Sequence, residues 1–317
     1  MDQQPRSKTI GLNWKKIPLH LFFFGIMSTI SFSQNRIDSF LKPSDTLNFN
    51  RKKTIILTET IIGTATLIGL NQLWYADYPR SKFHFINDNS EWLQMDKLGH
   101  SYSSYHLGRF GAELLQWSGA SKKDQLLYGA GLGFTFQTAI EVLDGFSSQW
   151  GASVGDIIAN ASGTALYVSQ ELLWNEQRII PKFSFQQSIY PSQRPNVLGS
   201  TLTQQILKDY NGQTYWLSFN IKSFAKDTKI PKWINLALGY GADGMISGNG
   251  EIPKNYTGFQ TTKKRQFYLS LDVDLTKIDT KSHILKTFFS IFNTLKIPSP
   301  SIEFTANERV RVHPILF

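Results

Sequence analysis

The residues best placed to do chemistry in this 317-residue chain are Asp96, His100, Glu141 and Asp156. Asp96, His100 and Ser103 stand four and three positions apart, so a helix brings them to one face and leaves His106 on another. Glu141 and Asp144 are three apart, and Asp156 and Asn160 are four apart. If three helices turn these faces inward, carboxylates, an imidazole and an amide converge. Three kinds of chemistry then compete. His100 with Asp96, Glu141 and Asp156 could bind a divalent metal, since imidazole and carboxylate suit zinc, manganese or iron. The same four could do catalytic acid–base work, with a carboxylate orienting His100. Or they form a buried hydrogen-bond network, with Ser103, Asp144, Ser153 and Asn160 as structural polar members.

Each acid also has a plainer use. Asp96 falls near a helix start, where a carboxylate caps and complements the dipole. Ser153-Val154-Gly155-Asp156 reads as a capping box with Asp156 in place of glutamate. Asp144-Gly145 is an ordinary turn pair. His100 and Glu141 have no such local use. Other chemistries lack their residues. Gly129, Gly131 and Gly133 lie in a helical run without the lysine of a phosphate loop. No HExxH pair occurs. The absence of cysteine excludes disulfides, thiolate zinc sites, a cysteine nucleophile and a lipidated N-terminal cysteine.

The elements that must position these residues divide the chain into unlike halves. Helical stretches are expected over 54–74, 95–117, 124–143 and 153–174, with Pro181 closing the region. The first is apolar apart from Glu59, and the last two hold runs of small residues such as Gly129, Gly133, Ala161 and Gly163. Small residues let helix backbones approach closely, in membranes or in tight soluble bundles. The second half alternates with period two. Leu217 and Phe219, Leu236 and Leu238, Phe267, Leu269 and Leu271, then Ile302, Phe304, Ala306, Val310 and Val312 mark the apolar faces of four antiparallel strands. The pattern resembles outer-membrane strands, but a bacterial barrel needs about eight. The terminal Phe317 fits an outer-membrane assembly signal, whereas Arg311 and His313 stand where apolar residues are wanted. We therefore expect a sheet packed on the helices, or a partial barrel completed by a partner. An amphipathic helix over 284–295 is expected to cover a sheet face, or else to lie in a membrane interface. The fold class is α+β: an N-terminal bundle of about four helices, then an antiparallel β-rich region with one amphipathic helix.

Composition agrees with an exported protein. Charged residues make up 18%, below the usual quarter or so, and 41% are hydrophobic, which excludes acidic disorder and charged helical rods. Lys15 and Lys16 precede the apolar run 19–30, and Ser31-Phe32-Ser33 follows with small residues at the positions that a signal peptidase reads. We expect a signal peptide over 1–33, cleaved before Gln34, then a linker over 34–53, a helical domain over 54–181 and a basic β-rich region over 182–317. The formal charge is +9, of which the signal segment carries three units; residues 34–181 are net −2 and 182–317 are net +8. Export argues against nucleic acid as a partner. A membrane or anionic lipid surface is the expected counter-charge, beside an envelope protein partner.

Three blocks in order, Asp96-Lys97-Leu98-Gly99-His100, Glu141 to Gly145, and Gly151 to Gly163, resemble the YfiM-like family of predicted periplasmic lipoproteins, a domain of unknown function. The resemblance covers roughly residues 54–176 and is closest in layout to the longer Bacteroidetes-type members. A more distant similarity is to VanZ-like membrane proteins. The family's motif positions fall on Asp96, His100, Glu141, Asp156 and Asn160. The resemblance implies a protein of the periplasm or outer membrane of a Gram-negative bacterium, with the inner membrane second, and it implies no reaction. Lacking cysteine, this chain departs from the lipoprotein pattern. The expected function is a non-enzymatic envelope component whose polar cluster is structural. The alternative is an envelope hydrolase or transferase, metal- or acid/base-dependent, acting on lipid or cell-wall precursors.

Overall fold

The computed structural model describes residues 36–76, 78–250, 256, 258 and 261–316; the expected signal segment and Phe317 lie outside them. Helix α1, Phe49–Tyr75, starts at Asn48, whose side chain accepts the Arg51 N–H, and ends in a π turn over Asn71–Tyr75. It is apolar on every side, so no face is selected for burial. Ile56, Leu57, Ile61, Ile62 and Ile68 are exposed, and Ile55 is buried against Leu115.

Helix α2, Met95–Trp117, is central to the helical half and packs on α3, Lys122–Gly145, and α4, Val154–Leu173. The small residues explain how closely these backbones meet. A Cβ built on Gly133 would lie 2.0 Å from the Ser104 carbonyl oxygen, and one on Gly163 would lie 2.0 Å from that of Ser101. Tyr105 fills the space beside them with Tyr167, Ala112, Ala130 and Ile180. Two short parallel strands, β1 (Phe85–Ile86) and β2 (Ala152–Ser153), tie the loop before α2 to the start of α4.

The second half is a six-stranded antiparallel meander, β3 (Ile179–Phe185), β4 (Gln213–Asn220), β5 (Ile234–Asp243), β6 (Lys264–Val273), β7 (Ser299–Thr305) and β8 (Arg311–Leu316). Short helices at Pro195–Leu198, Leu202–Lys208 and Ile221–Phe224 occupy its connections. The α+β class is as expected, with two more strands than the alternation marked. β3 contains Pro181, which the sequence reading had placed at the end of the helical half; as an edge strand, β3 tolerates it.

The sheet is strongly curled. Lys182 on β3 meets Asp272 on β6 at 2.8 Å, although in a flat sheet strands three apart lie about 14 Å from each other. Residues 294–296 then run along the free edge of β3, where Phe183 N–H donates to the Thr294 carbonyl and Lys296 N–H to that of Phe183. The faces are also the reverse of the simplest expectation. The polar alternates Lys182, Ser218, Asn235, Asp272 and Glu303 are buried, while Leu217, Leu238, Phe267, Leu271 and Phe304 are exposed. Helix α5, His283–Phe292, does not cover that apolar face, and it repeats the reversal. Its Ser290 and the following Asn293 bond to the protein, leaving Leu285, Phe288, Ile291 and Phe292 exposed.

Candidate functional site

The site is built around the start of α2. Trp92, Leu93 and Gln94 take left-handed backbone angles in succession (φ 46°, 51° and 67°), a conformation that L-residues adopt at a cost. Contacts from the β half hold this turn: Trp92 N–H donates to the Gly248 carbonyl at 3.1 Å, and Tyr240 Oη to that of Leu93 at 2.6 Å. Gln94 occupies the N-cap position without a side-chain cap. Asp96, in the first turn, does not cap either: its Oδ1 accepts the Tyr210 hydroxyl at 2.5 Å. The plain capping use of Asp96 is therefore set aside by the geometry.

One turn further, His100 Nδ1 lies 3.0 Å from Asn160 Oδ1 on α4. A carboxamide oxygen can only accept, so Nδ1 carries a proton, and Nε2, which holds the lone pair when the ring is neutral, is turned to the other side. There it faces Glu141 Oε1 at 3.7 Å, Asp96 Oδ1 at 3.9 Å and Asp156 Oδ1 at 4.0 Å. These gaps are too long for hydrogen bonds. They are compatible with a shared ion, because two ligands each about 2.1 Å from one ion lie up to about 4.2 Å apart. Ligand atoms of Asp96, His100 and Asp156 all fall within 4.8 Å of one another.

The capping box at the start of α4 is only half formed, and this releases Asp156. Ser153 Oγ accepts the Asp156 N–H at 3.2 Å, as the motif requires. The return bond goes elsewhere: Ser153 N–H donates to Glu141 Oε2 at 2.9 Å. Glu141 is 2% exposed, and its Oε1 accepts no hydrogen bond. Asp156 Oδ1 also has no hydrogen bond of good geometry, though Lys97 Nζ lies 2.8 Å from it.

Lys97 is the main residue that reasoning from periodicity missed. Its ammonium bridges Asp88 at 2.7 Å and Asp156 at 2.8 Å, with Asp96 at 3.4 Å. Asp88 is fixed in turn by the Ser153 hydroxyl at 2.6 Å. Lys97 stands three positions before His100, a helical-neighbour spacing, but a fixed cation is neither a metal ligand nor an acid–base partner in the chemistries considered, so it was passed over. Asp144 accepts the Tyr75 hydroxyl at 2.6 Å, a bond that joins α1 to α3. Ser103 makes no hydrogen bond to this group among the described residues, and His106 bonds the Pro181 carbonyl at 2.8 Å, away from the site.

Burial and charge act against each other here. Burial alone lowers the His100 pKa, but Asp96, Asp156, Glu141 and the Asn160 bond outweigh it and the net direction is upward. Burial raises Asp156 to about 7, reinforced by Asp96 and opposed by His100 and Lys97. Burial lowers Lys97, and the surrounding carboxylates reverse this, so it stays charged. Beside the cluster a cavity of about 460 Å³ is lined by Asp88, Asp96, Tyr210 and the aromatic rings of Trp74, Trp92 and Trp150. Asp96 belongs to both the cavity wall and the cluster.

Residues 84–171 match the model of a family described as "Predicted periplasmic lipoprotein (DUF2279)". That stretch contains Asp88, Asp96, Lys97, His100, Glu141, Asp144, Asp156 and Asn160, and it ends before Tyr210. The description names the periplasm, which is consistent with the expected export. Neither the curated proteins nor the solved structures give a match.

Proposed function

We propose that this envelope-associated protein holds one divalent metal ion between His100 Nε2, Asp96, Glu141 Oε1 and Asp156 Oδ1, and uses it for hydrolysis or group transfer on lipid or cell-wall precursors. The observation that carries this is His100 Nε2 facing three carboxylate oxygens, 3.7–4.0 Å away, two of which are buried without a hydrogen bond of good geometry. Charge supports it. Asp88, Asp96, Glu141, Asp144 and Asp156 crowd around Lys97 and His100, so a further cation lowers the energy of the group. One imidazole and several carboxylates suit manganese, iron or zinc. Such an ion brings the pKa of its water to near neutrality, supplying a nucleophile. The cavity at Asp96 gives a substrate a place beside it.

Lys97 favours the competing structural use of the cluster, since it already neutralises part of the acid charge. In that case the protein is a non-enzymatic envelope component. Metal analysis and calorimetric titration with Mn²⁺ and Zn²⁺ on the purified full chain separate the two. The metal centre requires close to one ion per chain, lost in His100→Ala while the fold is kept. Absence of binding by the wild-type protein, or binding unchanged in His100→Ala, overturns it. The resemblance to YfiM-like proteins, export with cleavage before Gln34 and residence at the outer membrane complete the proposal.

A further inference from the structure

The strand faces of the second half are arranged for a solvent other than water. In a soluble protein the apolar side of each strand is buried and the polar side hydrated. Here the reverse holds on neighbouring strands. Inside, Lys182 pairs with Asp272, the Ser218 hydroxyl donates to Asp272 at 2.6 Å, and the Asn235 amide donates to Ser218 at 2.8 Å. Outside, Leu217, Leu238, Phe267, Leu271, Phe304 and Val312 are between 42% and 71% exposed. The interior thus combines this hydrogen-bonded polar network with the buried cluster of Trp216, Ala237, Tyr268 and Leu316, and nothing in the fold calls for apolar residues to cover its outer side.

The same reversal recurs on elements that the sheet does not control. α5 turns Ser290 inward and its phenylalanines outward. α1 has 27 residues, about 40 Å of helix, against a hydrocarbon layer of about 30 Å, and 6% of its most apolar window is buried. β5 and β6 have ten residues each, the length of a strand that crosses a bilayer. At the end of the sheet where β5 begins and β6 ends, Lys222, Lys226, Lys232 and Lys277 line one hollow, with Glu176 among them. That is the charge expected beside anionic headgroups. The candidate site lies toward the other end, where Tyr210 precedes β4 and Gly248 follows β5.

We infer that the outer face of the β4–β7 sheet lies in the hydrocarbon of a lipid bilayer, with its lysine-rich end at an anionic headgroup layer. A protein partner would need to match the sheet, α5 and α1 together, whereas lipid chains cover all three without specific complementarity; the outer edge of β8, the last strand of the open sheet among the described residues, must then be paired or lie outside the hydrocarbon.

The chain has no cysteine, so single thiols can be introduced and labelled without background. Leu238→Cys, Phe267→Cys and Phe304→Cys, with Lys229→Cys as the aqueous control, are labelled with an environment-sensitive fluorophore in the full chain. They are then reconstituted into vesicles of phosphatidylethanolamine and phosphatidylglycerol. The three sheet labels are expected to be quenched by an acyl-chain nitroxide about threefold or more above the Lys229 label, and to be shielded from iodide. Iodide quenching equal to the control at these sites overturns the inference. So does shielding from both quenchers in protein that leaves the vesicles as a detergent-free oligomer, because the cover is then protein. Three separate positions keep the test valid if one variant misfolds.

Discussion

His100 Nδ1 donates to Asn160 Oδ1 across 3.0 Å, and this single bond between α2 and α4 decides where the other ring nitrogen looks. With a proton held on Nδ1, Nε2 faces Glu141, Asp96 and Asp156 and presents them a lone pair whenever the ring is neutral. Ser153 N–H has a similar effect on Glu141, holding Oε2 and leaving Oε1 toward the imidazole. Backbone and amide groups around the cluster therefore set both tautomer and carboxylate orientation before any ligand arrives.

Asn160→Ala removes the acceptor that fixes this tautomer. Loss of such a partner typically lowers metal affinity about 10–100-fold. The expected result is a rise of that size in the dissociation constant for Mn²⁺ or Zn²⁺, measured by calorimetry. Asn160→Asp, which keeps the acceptor, should recover most of it. Unchanged affinity in Asn160→Ala would show that His100 does not ligate through Nε2.

Glu141→Gln keeps the shape of the side chain and its acceptor for Ser153 N–H while removing the charge. If Glu141 is a ligand, metal binding should weaken by at least about tenfold while thermal stability in metal-free buffer stays level or rises, because a crowded buried carboxylate has been neutralised. A stability loss with metal binding intact would instead identify Glu141 as a structural group.

Helical spacing was enough to find His100, Asp96, Glu141, Asp156 and Asn160, because i, i+3 and i+4 relations survive packing. It left out Lys97 and Asp88. Lys97 stands three residues before His100 but was passed over because the search was for ligands and acid–base groups, and Asp88 comes from a loop whose position depends on the β1–β2 pairing. The capping box was half right: its local sequence fixed the Asp156 N–H, but the Ser153 N–H was taken by Glu141, which is twelve residues away. Period two likewise revealed strands β4 to β7 and their two faces. It did not say which face turns inward, since alternation is the same in water and in lipid. β3 was hidden by Pro181, and β7 and β8 were read as one alternating run because Ile302, Phe304, Val310 and Val312 keep the same parity across the turn that separates them.

The close approach of α2 to its neighbours gives a stability prediction that is independent of the metal. A Cβ at position 163 would stand 2.0 Å from the Ser101 carbonyl oxygen, and backbone cannot move aside as a side-chain tip can. Gly163→Ala should cost about 1–3 kcal/mol or more. Gly131→Ala, where nothing lies within 4 Å, should be neutral or stabilising, since alanine favours the helix by about 1 kcal/mol over glycine. Denaturant unfolding of the two variants, under one solvent condition, checks the contrast. Equal stabilities would mean that the helices are not so closely apposed.

The polar interior of the sheet makes the sharpest energetic prediction. Lys182 and Asp272 are both fully buried and 2.8 Å apart, and Lys182 Nζ also donates to the Val273 carbonyl at 2.6 Å. Lys182→Met leaves Asp272 without its main counter-charge, with Lys296 at 4.0 Å as the remaining cation. Breaking one side of a buried pair typically costs about 3–5 kcal/mol. Asp272→Asn in the wild-type background should be costly as well, because Lys182 is then the unpaired charge and the Ser218 hydroxyl loses a charged acceptor. The double variant should lose less than the sum of the two, since neither Lys182 nor Asp272 is left facing a missing partner, and the loss of Asp272 from beside Lys296 is common to the single and double variants and cancels in the cycle. A double-mutant cycle by unfolding in detergent micelles measures that difference. If the losses simply add, Lys182 and Asp272 do not meet, and the curl that brings the first and fourth strands together is wrong.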